Sequence, residues 1–245
     1  MGGPVTVSVH QPNFLPWLKL LDKILASDVF VAYDTVQYTR SEYHSRQKIK
    51  YESGATWLSV PLTTGSNTLI RDARIDNKQP FRGRQLKRIR VSYGRSPFFD
   101  EVYPIVERAY RGKQEFLVDL SLELIHGFCE YLGSDVRIVR ASELEHSGDN
   151  AERIVALVRG AGGSVHLTST FGSDRDYIDW AAVARAGIGI RSQEFTHPVY
   201  EQPFGGEFLP HLSALDMLFA RGRATADELA ARRRFVDVTP AAVGG

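Results

Sequence analysis

The sequence predicts an α/β fold: a mostly parallel sheet with flanking helices and a helical middle segment. Three stretches point there. The opening "PVTVSVH" alternates β-branched with small polar residues, which suits a strand ending near His10. "PWLKLLDKILAS" then sets Leu18, Leu21, Ile24 and Leu25 at helical spacing, with Pro16 tolerated because a helix start leaves its N–H unpartnered anyway. "DVFVAYD" is a second apolar run, ending in Asp34, so the pieces read as the β-α-β unit of a parallel sheet.

The remaining elements follow in order. After Asp34, "TVQYTRSEYHSRQKIKYESG" is polar and basic with little periodicity, as in a functional loop, before "ATWLSVPLTT" resumes as a strand. "QPFRGRQLKRIRVSYG" and "FDEVYPIVERAYRGKQEFLVDLSLELIHGFCEYLG" repeat apolar residues at three and four, giving the helical middle. "SDVRIVRASEL" returns to strand, "NAERIVALVRGAGG" is a helix with a glycine stop, "SVHLTST" a strand, "YIDWAAVARAG" a helix and "IGIRSQEF" the last strand. The final twenty-odd residues, rich in Arg and Ala, read as a surface helix and a frayed end.

Composition excludes several classes. A chain of 245 residues with 43% hydrophobic and 24% charged residues buries a real core, so disordered and fibrous classes fall away. Thirty Lys and Arg against twenty-nine Asp and Glu leave a formal charge of +1, so no global field recruits nucleic acid or an anionic membrane. The single Cys129 can build neither a disulfide framework nor a thiolate metal site, and it fits a reducing cytoplasm. The chain shows neither a signal peptide nor eighteen consecutive apolar residues, so a cytoplasmic protein without a membrane span is expected.

His10, at a strand end before Gln11, Pro12 and Asn13, falls where open α/β sheets place ligands. An imidazole titrates near neutral pH, which suits a general base; tying a loop carbonyl is the competing role. Gln11 and Asn13 each donate and accept, which suits orienting a polar substrate or holding the loop together. Asp34 faces His10 across the same edge if the first two strands are neighbours. It could then hold the imidazole's tautomer or capture an ammonium, with a turn cap as the alternative. Gln37 is a candidate of the same kind. In "RSEYHSRQKIK", Arg46, Lys48 and Lys50 recur with a period of two, so an extended segment puts them on one face opposite Gln47 and Ile49. Such a row clasps a phosphate, a pantetheine phosphate or a sugar nucleotide, or is only a solvated face. In "THPVYEQPFGGEFLPHLSALDMLF", prolines and glycines force a shaped loop in which His197, Tyr200, Gln202 and His211 are candidate pocket residues. Asp216 lies in the helix that follows, where a cap or salt bridge is the competing role.

No phosphate loop, dinucleotide fingerprint, zinc-protease helix or nucleophile elbow occurs, and no histidine pair has persuasive metal spacing, so neither metal nor cofactor is expected.

The blocks "HQPNFLPWLKLLDKILASDVFVAYDTVQYTRSEYHSRQKIK", "WLSVPL" and "EFTHPVYEQPFGGEFLPHLSALDMLFARG" resemble the WbqC-like protein family of bacteria, over roughly residues 6 to 222. The resemblance implies a single α/β domain over 1–222, with a helical insertion at about 80–132 and a surface helix and tail over 223–245. It also implies a context of surface polysaccharides or specialised metabolites, with acyl or aminoacyl transfer to an amine or amino-sugar. The donor would sit on coenzyme A or an acyl or peptidyl carrier protein. His10, Asp34 and His197 are then the expected catalytic residues, and Gln11, Asn13, Gln37, Arg46, Lys48, Tyr200, Gln202 and His211 the expected substrate-binding ones. The chain departs from the family at Ala220, where Asn is usual, and at "STFGSDRDY", where a short Ser-Gly loop is favoured, so the resemblance says less about Ser169 and Tyr177. Direct attack of an amine on a bound thioester, with His10 removing the proton, is the simplest path. Two rivals stand beside it: a nucleotidyltransferase-like or adenylate-forming enzyme that binds ATP or CTP, and a non-catalytic scaffold for a carrier protein.

Overall fold

A computed structural model describes residues 3–65, 67–169 and 178–238; Tyr177 lies outside them. Strands β1 (Thr6–His10) and β2 (Val29–Ala32) pair in parallel from Val7↔Val29 to His10↔Ala32, with helix α1 (Leu18–Leu25) between them. β5 (Arg137–Arg140) pairs with the far side of β2. On the other side of β1 come β6 (Val165–Thr168) and β7 (Gly189–Glu194), all parallel. The sheet order is β5-β2-β1-β6-β7-β8, so the chain builds outward from β1 in one direction and then reverses. The reversal falls between β1 and β6.

Alternation along the strands divides the core. Val7, Val9, Val29 and Val31 face α5 (Asn150–Gly160) and α6 (Trp180–Arg185), whereas Phe30 and Ala32 face the side covered by α1. Ser8 and His10 therefore share α1's side. α1 is fixed there by Leu18, Leu20, Leu21 and Ile24, each nearly or fully buried and worth about 1.5–3 kcal/mol relative to exposure. The helical middle segment is α2 (Phe81–Tyr93), α3 (Phe99–Arg111) and α4 (Leu117–Tyr131), the last two parted at Gly112, and it extends this same core.

Two elements differ from the sequence expectation. Within the polar stretch, Arg46–Tyr51 is strand β3, paired antiparallel with β4 (Gly54–Ser59) in a separate two-stranded sheet. At the carboxyl end, α7 (Leu215–Arg221) and α8 (Ala224–Arg232) lead into β8 (Arg234–Val238), which pairs antiparallel with β7, so β7 is not the last strand. Most of β8 is exposed, Phe235 and Val236 included, and its residues carry no buried-face pattern. A single antiparallel edge strand on a parallel sheet is a common arrangement.

Candidate functional site

The carboxyl ends of β1 and β6 separate. β1 pairs with β2 as far as His10, yet with β6 only as far as Val7↔His166. Continuing that register three residues along each strand sets His10 level with Ser169. A crevice outside the carboxyl ends, where the strand order reverses, is where open α/β sheets hold ligands. Two lysines of α1 reach the end of β6 at this point: Lys19 Nζ donates to the Ser169 carbonyl at 3.2 Å and Lys23 Nζ to Ser169 Oγ at 3.3 Å.

The electrostatics of this cluster are unusual. Lys23 is only 2% exposed. Burial, and after it the charge of Lys19 one turn away, bring the Lys23 ammonium down to about 7. Burial lowers Lys19 as well. Among the described residues no carboxylate pairs with either lysine: Asp22, beside Lys23 in sequence, is held by Arg233 Nε at 2.9 Å, Arg233 Nη2 at 2.8 Å and Gln193 Nε2 at 2.6 Å. His10 Nδ1 lies 2.8 Å from the Gln11 carbonyl, an acceptor only, so Nδ1 carries the hydrogen and Nε2 keeps a lone pair that meets no donor among the described residues. Burial, then Lys23, depress the His10 imidazole to about 3, and burial and Lys23 do the same to His166, which lies in β6.

The loop from Gln11 to Trp17 is braced from outside. Phe14 N–H donates to the His44 carbonyl at 3.1 Å, Ala214 N–H to the Pro16 carbonyl at 2.8 Å, and Leu15 takes φ 47°. His44 Nδ1 accepts from the Thr39 N–H at 3.1 Å, so its Nε2–H donates to Gln11 Oε1 at 2.8 Å. Gln11 is thus positioned by a second histidine, which burial lowers to about 4. Asn13 is buried, and its Oδ1 finds no partner among the described residues; the same holds for Ser8 Oγ on β1.

Asp34 does neighbour the end of β1, but it takes neither His10 nor a free position. Its Oδ1 accepts from the Ser142 N–H at 2.9 Å and its Oδ2 from the Ser142 hydroxyl at 2.7 Å, tying β2 to the turn after β5. The tautomer of His10 is set by Gln11 instead. Gln37 is exposed and bridges Leu69 through its backbone.

Arg46 and Lys48 lie on the same face of β3, their charges 4.5 and 5.0 Å from the Trp57 ring centroid. Trp57 neighbours Tyr43 at 6.2 Å, and Tyr43 stacks on Trp17 at 6.2 Å with planes 9° apart, so the basic pair joins an aromatic ladder leading to the His10 loop. Lys50 leaves the row: it is buried and donates to the Glu207 carbonyl at 3.2 Å.

The carboxyl block forms a separate grouping. His197 Nδ1–H donates to the Pro198 carbonyl at 2.8 Å, and its ring packs among Phe195, Tyr200, Phe208 and His211, burial lowering its basicity. Gln202 donates to the Leu209 carbonyl at 2.9 Å and to Asp216 Oδ2 at 2.7 Å, and accepts from the Leu209 N–H at 2.8 Å. Tyr93 donates to Asp216 Oδ1 at 2.8 Å, and Tyr200 also bonds that carboxylate. Tyr200 and Gln202 therefore point inward at Asp216, while His211 is exposed with φ 62°. Among the described residues no hydrogen bond or ring contact joins His197 to His10. No group of three or more metal-ligating residues occurs among them either. A cavity of about 610 Å³ opens beside Asp28 and Asp135, at the amino ends of β2 and β5, the edge away from the crevice.

Sequence reasoning passed over Lys19, Lys23 and His166. The available signal was the pair of lysines one turn apart on the helix that follows His10.

The fold and this crevice define a doubly wound α/β protein with a polar, cation-rich site at its switch point. The profile of the WbqC-like protein family matches residues 11–228, and the chain belongs to that family. It is similar to Rv1507c, an uncharacterized protein of Mycobacterium tuberculosis, with 27% identity over 227 residues, covering 91% of this chain and 96% of that protein. No solved structure matches it significantly.

Proposed function

We propose that the protein transfers an acyl or aminoacyl group to the amine of a small molecule, such as an amino-sugar, from a thioester of coenzyme A or of a carrier protein. The observation that carries this reading is the pairing of a His10 imidazole nitrogen, unpartnered among the described residues, with two lysines converging on Ser169. Amide formation needs a base for the proton of the attacking amine and positive charge beside the carbonyl oxygen as it turns negative. His10 Nε2 answers the first need and the Lys19 ammonium the second. An imidazole depressed to about 3 is a poor base alone; an anionic substrate offsetting the lysine charge raises it where the reaction needs it. Arg46 and Lys48, on their aromatic ladder, suit the acidic surface of a carrier protein or the phosphate of its pantetheine arm. No helix among the described residues is long and apolar enough to cross a membrane, and a cytoplasmic location fits donors of this kind.

The strand order favours one other reading, a nucleotide bound by its phosphates at the same crevice and used for adenylate formation. Incubation with a panel of thioesters and amines, read by mass spectrometry, separates the two. The expected outcome is an amide made without nucleotide and lost in His10→Ala while the melting midpoint is kept. Amide formation only with ATP or CTP, or full activity in His10→Ala, contradicts the transferase reading.

A further inference from the structure

We propose that Ser169 and Lys23 form a serine–lysine dyad, in which Ser169 Oγ takes the acyl group as an ester before the amine receives it. The inference rests on the acyl-transfer reading above and replaces direct attack on the thioester by two displacements. Its geometry has three parts. Ser169 follows the last residue of β6, is half-buried, and lies three residues beyond the last β1–β6 pair, as His10 does on β1. Lys23 Nζ, almost wholly buried, lies 3.3 Å from its Oγ, within reach of the hydroxyl proton and tightening as a complex forms. Lys19 holds the Ser169 carbonyl at 3.2 Å and fixes the residue's backbone.

A lysine serves as a base only when uncharged. The groups around Lys23 favour that form: Lys19 from its own helix and His10 from β1 are a cation and a neutral ring, Ser169 is neutral, and His166, whose ring stacks on Trp180 on the other face of the sheet, lies close enough to feel its charge. The nearby acid, Asp22, is held by Arg233 and Gln193. With its amine neutral, the contact runs the other way and the Ser169 hydroxyl donates to Nζ. A desolvated lysine beside a second cation is a recognised way to prepare such a group. Cys129 offers no competing nucleophile, since it is buried and its thiol is pushed up to about 12.

The steps balance. Ser169 Oγ attacks the thioester carbonyl; a C–O bond forms, the C–S bond breaks, and the hydroxyl proton passes through Lys23 Nζ to the departing sulfur, which leaves as a thiol. The amine then attacks the ester and a C–N bond replaces C–O. The amine's proton, removed by His10, ends on Ser169 Oγ, restoring the hydroxyl.

The test uses p-nitrophenyl acetate, which acetylates a reactive serine whatever the natural donor. The expected result is one acetyl group per chain, located on Ser169 by peptide mass spectrometry. Its rate should rise with pH about a midpoint near 7, fall roughly a hundredfold in Lys23→Met, and reach background in Ser169→Ala. Acetyl on Lys19, Lys23 or His10 with Ser169 unmodified, or an unchanged rate in Lys23→Met, overturns the dyad. Should Lys23→Met fail to fold, the position of the label and the Ser169→Ala variant still decide. Lys23-dependent labelling of Ser169 without thioester-to-amine transfer leaves the dyad standing and removes the acyl-transfer reading. Amide formation at the full rate in Ser169→Ala does the reverse.

Discussion

Two buried polar groupings sit on the same molecule and are built in opposite ways. Around Asp216, every strong group is answered: the fully buried carboxylate accepts from Tyr93 and Gln202, the Tyr93 oxygen accepts from the Lys50 N–H at 3.0 Å, and Lys50 Nζ reaches the Glu207 carbonyl. Around Lys23 the two bonds run to 3.2 and 3.3 Å and no anion is at hand among the described residues; on the neighbouring strand and loop, Ser8 Oγ and Asn13 Oδ1 also find no partner among those residues. A satisfied buried network rigidifies a fold, whereas a buried cation without a counter-charge costs stability and persists where chemistry needs it. The contrast separates the residues that shape the carboxyl loop from those proposed above to act.

The largest expected effect breaks the first grouping. Asp216→Ala leaves the Tyr93 hydroxyl and the Gln202 amide facing a void, and should cost about 3–5 kcal/mol in urea unfolding. Lys23→Met should do the opposite, leaving stability unchanged or raised by about 1–4 kcal/mol while slowing the proposed acylation of Ser169 roughly a hundredfold. Its pH dependence sharpens the point. Lys23 titrates at about 7 when folded against 10.5 when unfolded, so between these values the unfolded chain holds the extra proton. Stability should therefore rise with pH across that window, and Lys23→Met should flatten the slope. For His10, lowered from 6.5 to about 3, the same sign means that stability falls as pH drops from 6.5 towards 3. The smallest effect is at the surface: Arg46→Ala with Lys48→Ala removes two cation–π contacts worth about 0.5–1 kcal/mol each, so the melting midpoint should fall by only a few degrees. If the row docks an acidic carrier, the apparent affinity for that carrier drops and loses its salt dependence.

The sheet was legible because its signals are local. β-branched runs, helical spacing and glycine stops placed β1, α1, β2, β5, α5, β6, α6 and β7, and the end of β1 pointed at His10. β8 was not legible, because an exposed edge strand carries no buried face to read. Lys23 was missed for a related reason. The pattern of α1 puts Lys19, Asp22 and Lys23 on its polar side, which a sequence reader assigns to solvent. In the fold that side is covered as well: Gln193 of β7 and Arg233 close over Asp22, while Ser169 meets the lysines. Burial of a polar helix face is decided by elements more than a hundred residues away, as the Lys23–Ser169 pair shows. Asp34 carries the same lesson, since its partner Ser142 lies 108 residues on.

Titration of the Lys23 ε-amine by NMR, with lysine labelled at the ε position and the signal assigned through Lys23→Met, tests the central claim most directly because it needs no substrate. The structure calls for a midpoint near 7, with the amine neutral through the upper part of the physiological range. A midpoint at the ordinary lysine value of 10.5 would mean an ammonium that stays charged, and the crevice would hold neither a base for Ser169 nor the contrast with Asp216 drawn above.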